Sequence, residues 1–186
     1  MAGCGIAAPI LVLDPAGQGD TVWRDCAPAR TDLPRHLSDM PTLGITMLEA
    51  DDDRRGWHFL RTDRPGQGRQ SDRRTTGLCV VLISPRHDTP DAARALREWG
   101  DDIHIAEIVA TSVPGYTMIT PYEVRERSGR PRYLHLYEMD TDDPEGAFGA
   151  MTPLVQERLG DDDRFREWAW HPELHIDFVS TFVRVE

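Results

Sequence analysis

The chain has 186 residues, with 32 acidic and 21 basic side chains and a formal net charge of -11 at pH 7. This acidic balance excludes a protein that binds nucleic acid through a basic face. All of the basic residues are arginine, so enzymes that depend on a Schiff-base or phosphate-binding lysine are excluded as well.

Cysteine content and hydropathy favour a cytoplasmic protein. The three cysteines, Cys4, Cys26 and Cys79, are odd in number and far apart, which favours neither a disulfide framework nor a metal-binding knuckle. No apolar run approaches the roughly 20 residues that a membrane-spanning helix needs. The short apolar run over residues 6–13 has no preceding positive charge, so it does not resemble a signal peptide. The use of Arg in place of Lys indicates a GC-rich bacterial genome.

The first third of the chain, residues 1–62, predicts a β-rich segment. Residues 6–13 form an apolar, β-branched run that ends in turn residues, which is typical of a strand. Residues 42–50 and 57–61 predict two more strands joined by a charged loop, as in a hairpin. Residues 20–40 are interrupted by prolines and predict a broken helix.

A linker and a larger unit follow. Residues 63–76 are rich in Arg, Gly and Pro with almost nothing apolar, and they predict a linker. Residues 77–186 predict strand, helix, two strands, helix and strand, the split β-α-β-β-α-β pattern. Thr89 and Pro90 supply the cap and first position of the first helix. The predicted fold class is therefore α+β, a ferredoxin-like antiparallel sheet.

Several boundaries inside this unit are marked by local chemistry. Gly100 is a weak point where the first helix kinks or restarts, and the second helix begins after Asp143.

The front of the chain also resembles the back in its pattern of elements, since residues 42–63 loosely match residues 116–140 as strand, loop and strand. Two interpretations stay open: a degenerate half-repeat or a plain N-terminal extension.

His104 is the first candidate for a catalytic group. Imidazole titrates near neutral pH, so it can take a proton from a carbon acid and return it elsewhere on the product. The alternative is a His that makes polar contacts on the helix surface beside Asp101 and Asp102.

Polar aromatic side chains also alternate along one predicted strand. Tyr133, His135 and Tyr137 point to one face of the sheet because side chains alternate in a strand. Such a face can hold an enolate or phenolate by hydrogen bonds, although an aromatic ladder at a barrel interface gives the same pattern. Tyr116 and Tyr122 on the preceding strand share one parity and extend this face as candidates for substrate binding.

A cluster of aromatic residues precedes the last strand. Trp168 in this cluster either lines the mouth of a cleft or packs in the core, and His171 or His175 beside it could supply a haem ligand. His171 and His175 do not predict a metal site, because Pro172 interrupts any helix that would align them.

Three segments carry a resemblance to a known superfamily. They are Glu98-Trp99 with His104 one turn further along, the break Val113-Pro114-Gly115-Tyr116, and the strand Arg-Tyr-Leu-His-Leu-Tyr-Glu at residues 132–138. Together they resemble the dimeric α+β-barrel superfamily, nearest to its EthD-like branch, over residues 78–185. The resemblance implies a four-stranded sheet with two helices on one face, whose open face closes a barrel with a second sheet. That second sheet belongs to a second chain or to the front half of the same chain.

The resemblance also implies a function. Members of the superfamily bind an apolar or aromatic molecule between sheet and helices; they include isomerases, polyketide cyclases, cofactor-free monooxygenases and haem-binding enzymes. The family's functional His faces the cleft at the position of His104. We therefore expect a homodimeric enzyme, without metal or cofactor, that cyclises, isomerises or eliminates on an apolar, polyketide-like or aromatic substrate. Cofactor-free oxygenation and non-catalytic binding are the alternatives.

The expected roles follow from this interpretation. His104, Tyr137 and His135 are the candidate catalytic residues. The candidate substrate-binding residues are Tyr133, Tyr116, Tyr122, Trp99 and Trp168.

Overall fold

The structure is a computed structural model that describes residues 10–26, 40–49, 53–70, 74–126 and 130–185. Its strands are β1 (Ile10–Asp14), β2 (Thr21–Asp25), β3 (Thr42–Leu48), β4 (Trp57–Arg61), β5 (Gly77–Pro85), β6 (Tyr116–Val124), β7 (Tyr133–Met139) and β8 (Leu174–Val185). Its helices are α1 (Pro90–Trp99), a π-helical segment (Gly100–Ile105), α2 (Ala106–Thr111), α3 (Pro144–Leu159) and α4 (Asp163–Ala169). No helix in the described part of the chain is long and apolar enough to cross a membrane.

The eight strands form one closed antiparallel barrel in the order β1-β3-β2-β8-β5-β7-β6-β4. The second half of the chain, from β5 to β8, contributes four neighbouring strands in the order β8-β5-β7-β6. Along the chain, α1 and α2 follow β5, and α3 and α4 follow β7. This is the ferredoxin-like arrangement that the sequence predicted. The first half has the same spatial order, β4-β1-β3-β2. The halves join through the pairs β2–β8 and β4–β6, so the barrel closes within a single chain.

Two predictions for the first half were wrong. The strands β3 and β4 do not form a hairpin, because β1 lies between them and pairs with both. Residues 21–25 form strand β2 and not part of a broken helix, and residues 27–39 of that prediction lie outside the described residues. Residues 21–25 are held as a strand because the Trp23 side chain is buried inside the barrel while its backbone pairs with β3 and β8. Tertiary pairing here overrides the local pattern.

The spatial order of the strands also shows that the two halves of the chain correspond in a different alignment from the one predicted, displaced by one strand. The strands β3 and β4 occupy the positions that β7 and β8 have in the second half, whereas the sequence matched them to β6 and β7. The predicted boundaries of the N-terminal segment, linker and larger unit stay predictions. Within that predicted linker, Gln67 pairs with Ile119 of β6, and Arg64 lies against Asp101.

Two apolar clusters lie on opposite faces of the second-half sheet. One fills the barrel and includes Leu134 and Leu136 of β7. The other lies beneath the helices and includes Tyr137 of the same strand. The alternation predicted for β7 is therefore confirmed, and β7 presents one face to each space.

The first helix begins and ends as the local chemistry indicated. Thr89 caps it, its side-chain oxygen accepting from the backbone N–H of Ala92 at 3.2 Å. At Gly100 the chain passes into the π-helical segment. A Cβ at position 100 would lie 3.0 Å from Cε1 of His135, so glycine allows this helix to approach the sheet closely. Single π turns inside helices are frequent at functional sites.

Candidate functional site

A cavity of about 440 Å³ lies between the helices and the outer face of β5, β7 and β8. Its walls combine apolar and aromatic side chains with a few polar groups. The polar and aromatic members include His104, His135, Tyr137, Glu145, Trp99 and Trp168. Pockets with apolar walls and few convergent polar groups are the usual form of a small-molecule site.

His104 is held in one orientation by α4. Its Nδ1 lies 3.0 Å from the backbone oxygen of Trp168, and the indole N–H of Trp168 donates to the backbone oxygen of His104 at 3.1 Å. A carbonyl oxygen can only accept, so Nδ1 carries the hydrogen and Nε2 of the neutral ring keeps its lone pair. The imidazole stacks on the Trp168 ring with centroids 5.1 Å apart, and the Trp99 ring lies 4.9 Å away.

The position of α4 depends on a second indole as well. Trp99 donates from Nε1 to the backbone oxygen of Glu167 at 2.7 Å. Asp162 caps the helix by accepting from the backbone N–H of Arg164 at 2.9 Å. Trp168 is thereby buried against the cavity, whereas Trp170 is exposed. The aromatic cluster of the sequence thus divides between the cavity wall and the protein surface.

Burial keeps both imidazoles neutral. It lowers the pKa of His104, although the hydrogen bond to the Trp168 carbonyl opposes this effect. Burial, with a smaller contribution from charge on His104, lowers the pKa of His135 to about 3. At neutral pH each ring therefore offers one N–H and one lone pair.

Tyr137 is a neutral hydrogen-bond donor. Burial raises the pKa of its phenol, with a further contribution from Cys79 on the adjacent strand. Its ring meets Tyr116 edge-on, with centroids 5.8 Å apart. Within the described ranges, neither the Tyr137 hydroxyl nor the His135 ring has a hydrogen-bond partner. Both groups line the cavity and are free to bind a ligand.

Tyr133 and Tyr116 share the helix side of the sheet but lie outside the cavity wall. The Tyr133 hydroxyl donates to the backbone oxygen of Ala93 at 2.9 Å and so attaches β7 to α1. The Tyr116 hydroxyl is 3.8 Å from the sulfur of Met151. Both therefore pack beside the cavity rather than line it.

Tyr122 does not extend this face, and that part of the prediction was wrong. Its side chain points into the barrel and packs with Leu134 and Leu136. The cause is a shift of register between Tyr116 and Met118 in the pairing of β6 with β7. One extra residue in a strand moves every later side chain to the opposite face.

Glu145 is a cavity residue that the sequence analysis missed. It occupies the first turn of α3, after Pro144, and its Oε2 accepts from the Thr181 hydroxyl at 2.6 Å. The sequence does show an acidic residue directly after Asp143-Pro144, but acidic residues are common in the first turn of any helix and do not by themselves indicate a binding site. Only the packing of α3 over β8 turns it toward the cavity.

The remaining histidines near the cleft are apart from one another. His171 stacks on Trp99 with centroids 5.7 Å apart, whereas the Nε2 of His175 lies 3.5 Å from Asp177. Within the residues that the structure describes, no group of three or more His, Cys, Asp or Glu side chains has the arrangement of a metal site.

Comparison with known proteins places the fold but not the reaction. No family model matches the chain, and no curated protein matches it. Among solved structures it is similar to a dimeric chlorite dismutase from Nitrobacter winogradskyi, with a TM-score of 0.53 and 15% sequence identity over 94% of this chain and 99% of that one. At this identity the likeness shows the fold alone. The chain therefore has the ferredoxin-like α+β-barrel architecture of that protein.

Proposed function

We propose that this chain is a cofactor-independent enzyme of the EthD-like kind that cyclises, isomerises or eliminates on an apolar, polyketide-like or aromatic carbon acid. The observation that carries the proposal is the orientation of His104. Its Nδ1 is bound to the Trp168 carbonyl, so Nε2 is the basic nitrogen of a ring that lines an apolar cavity.

The reaction begins with proton transfer from carbon to Nε2 of His104. The electron pair of the broken C–H bond moves into the adjacent carbonyl, which becomes an enolate. Imidazolium then returns the proton to another carbon, to an oxygen or to a leaving group, which completes isomerisation, cyclisation or elimination. Positioned acid-base catalysis of this kind contributes about 10² to 10⁴ in rate.

Tyr137 and His135 are suited to donate hydrogen bonds to the enolate oxygen. The raised pKa of Tyr137 keeps its phenol protonated, and the lowered pKa of His135 keeps that imidazole neutral. Neutral donors with no other partner can meet charge that develops in the transition state, and in a dry site their effect is large. His104 therefore acts as the base, while the two β7 side chains act as hydrogen-bond donors.

The cavity walls favour an uncharged aromatic ligand. Trp99, Trp168 and Phe148 present aromatic surface, and Met151 adds a polarisable side chain. Among the lining residues that the structure describes, Glu145 is the one acid, and none is an arginine. A small anion such as the chlorite of the neighbour's name would meet a carboxylate and no arginine among them.

Haem is the cofactor against which this cavity has to be tested, because the superfamily that the sequence resembles includes haem-binding enzymes. Nε2 of His104 could hold the iron. The described lining residues, however, offer the two propionates of haem no arginine and include the carboxylate of Glu145. The described residues could therefore bind the iron but not the propionates, and the proposed reaction includes no step on haem. A hemin titration that gave a Soret shift in the wild-type protein but not in His104→Ala would reverse this conclusion.

Cofactor-free oxygenation is the second candidate, and the same geometry favours it. It shares the deprotonation by His104, after which the substrate carbanion reduces molecular oxygen. A cavity that shields the carbanion from water suits both reactions. Oxygen consumption during turnover, measured with an electrode, distinguishes oxygenation from isomerisation. A binding protein without catalysis would show neither.

We also propose a cytoplasmic homodimer. The neighbour is described as dimeric, and the barrel of this chain is already closed, so a dimer would form through outer surfaces. Light scattering of the purified chain tests this: a mass of twice 21.0 kDa is expected, and a monomer would refute it.

Deuterium exchange tests the catalytic proposal without knowledge of the natural substrate. Benzoylacetone, an enolisable aromatic diketone, is incubated with the enzyme in D₂O, and exchange at its acidic carbon is followed by NMR. We expect His104→Ala to lower the enzymatic rate by about 10²-fold or more. His87→Gln is the matched control, since His87 pairs with Glu173 at the surface. Equal exchange in wild type and His104→Ala would overturn the role of His104.

A further inference from the structure

A second cavity, of about 440 Å³, opens at one end of the barrel, on the opposite face of the sheet from the cleft. Every strand of the barrel contributes to its wall. The contributing side chains include Leu11, Leu78, Leu136, Arg61, Tyr122 and Glu138. The barrel is therefore packed along most of its length but open at this mouth.

The floor of the mouth is apolar. Leu11, Leu78 and Leu136 are buried and belong to the cluster that fills the barrel. Trp23 forms part of the wall, and the guanidinium of Arg184 lies 5.8 Å from its ring centroid. Such a floor suits a hydrocarbon or aromatic group of a ligand.

Opposite charges face the mouth from two strands that β6 separates, and they do not pair with each other. Glu138 lies on β7 and Arg61 on β4, and Arg61 is level with Leu134, four residues from Glu138 along β7. Two strand spacings and this offset place their backbones roughly 16 Å apart, so a ligand between the two charged side chains would bridge them. Within the described residues, Glu138 accepts one side-chain hydrogen bond, from Thr75 at 3.3 Å, and Arg61 makes no ion pair. A partly buried carboxylate with one weak partner is poorly satisfied.

Tyr122 lies on the intervening strand β6, directly opposite Arg61. Its side chain is 3% exposed and lines the mouth, and its hydroxyl has no hydrogen-bond partner among the residues that the structure describes. Burial, together with the charge of Glu138 and against the opposing charge of Arg61, raises its pKa to about 12. The phenol thus stays a neutral donor within the field of both charges.

We propose that the mouth of the barrel is a second binding site, for a small zwitterion with an apolar body, such as an aromatic α-amino acid. The ammonium group pairs with Glu138, and the carboxylate pairs with Arg61 and accepts from the Tyr122 hydroxyl. The apolar side chain rests on the leucine floor. A ligand with both charges satisfies all three groups, whereas a simple acid or amine leaves one of them unpaired.

The site is independent of the proposed catalysis but shares a strand with it. On β7, Leu136 and Glu138 face the mouth, while His135 and Tyr137 face the cleft. A ligand in the mouth therefore binds to the back of the strand that carries two of the proposed catalytic residues.

Calorimetric titration of the wild-type chain tests the ligand class. L-phenylalanine is the probe, with 3-phenylpropionate and phenethylamine as analogues that each lack one charge. We expect L-phenylalanine to bind and each analogue to bind about tenfold more weakly or worse, as for loss of one charge-assisted hydrogen bond. No heat with millimolar L-phenylalanine, or equal affinity for either analogue, overturns the proposal.

Substitutions test the location. Glu138→Gln and Arg61→Gln should each weaken L-phenylalanine binding by about tenfold or more, with folding checked by circular dichroism. Glu157→Gln and Arg94→Gln change the same residue types on exposed helix surfaces away from the mouth, and they should not alter the affinity. His104→Ala should also bind L-phenylalanine as wild type does. Loss of binding in His104→Ala would place the ligand in the cleft and refute a second site.

Discussion

His104 and Trp168 hold each other by two reciprocal hydrogen bonds, each from a ring N–H to the other residue's backbone oxygen, at 3.0 and 3.1 Å. The two residues are 64 positions apart and lie on different helical segments. This pair fixes which imidazole nitrogen carries the proton, and so it decides that Nε2 is the basic atom in the cleft.

The pH dependence of catalysis follows from the lowered pKa of His104. A general base must be unprotonated, and burial moves its pKa below the ordinary value of 6.5. We therefore expect kcat/KM to stay level from neutral pH down past 6.5 and to fall only at more acidic pH. Initial rates of benzoylacetone exchange in buffers from about pH 5 to 8 measure this. A midpoint above 6.5 would contradict the assignment.

Tyr137→Phe should separate catalysis from stability. The substitution removes a hydroxyl that has no partner among the described residues, so the melting temperature should be unchanged or slightly higher. Turnover should fall by about 10²-fold, because a donor to the developing oxyanion is lost. Calorimetry and exchange rates on the same preparation give both values. A large fall in melting temperature with normal turnover would make Tyr137 a structural residue instead.

His135 should make the protein less stable in acid. Its folded-state pKa is lowered to about 3 from 6.5, so below pH 6.5 the unfolded chain binds a proton that the folded chain excludes. The free energy of unfolding should fall as pH drops from 6.5 toward 3, by up to about 1.4 kcal/mol per pH unit, and its full value is present above 6.5. Urea unfolding at several pH values measures the slope.

The control for this effect is His135→Gln. Glu138 and Asp101 have raised pKa values, which act in the opposite direction, but they are present in both proteins and cancel in the difference. The variant should therefore show a shallower loss of stability in acid than wild type. Parallel curves would mean that His135 titrates normally in the folded protein.

Gly100→Ala and Gly149→Ala should change stability in opposite directions. A Cβ at 100 meets the buried His135 ring at 3.0 Å, which should destabilise the fold by about 1–3 kcal/mol. A Cβ at 149 in α3 meets nothing within 4 Å, so the better helix propensity of Ala should stabilise it by about 0.5–1 kcal/mol. Urea unfolding at neutral pH measures both. Stabilisation by Gly100→Ala would show that the helix does not press on the sheet.

Local sequence chemistry predicted much of the second half of the chain. Thr89 with Pro90, and Asp143 with Pro144, begin helices through contacts that span only three residues. Alternation along β7 assigned His135 to the helix side because side-chain direction in a regular strand depends on parity alone. These features were readable because each is decided within one turn or one strand.

Residues whose surroundings come from distant parts of the chain were harder to predict. Tyr122 was assigned to the wrong face because the register shift in β6 appears only when that strand pairs with β7. Residues 21–25 became a strand because β3 and β8 pair with them from both sides. Glu145 joined the cleft because α3 packs over β8.

The sequence by itself therefore determined the order of elements in the second half, the helix starts and the presence of a titratable His beside a Trp. Only the tertiary structure decided that the barrel closes within one chain, which face Tyr122 takes, and which nitrogen of His104 is basic. The physical reason is the separation in sequence between the residues that make each contact. Caps and alternation depend on neighbours in sequence, whereas barrel closure, strand register and the His104–Trp168 pair depend on contacts between residues far apart in the chain.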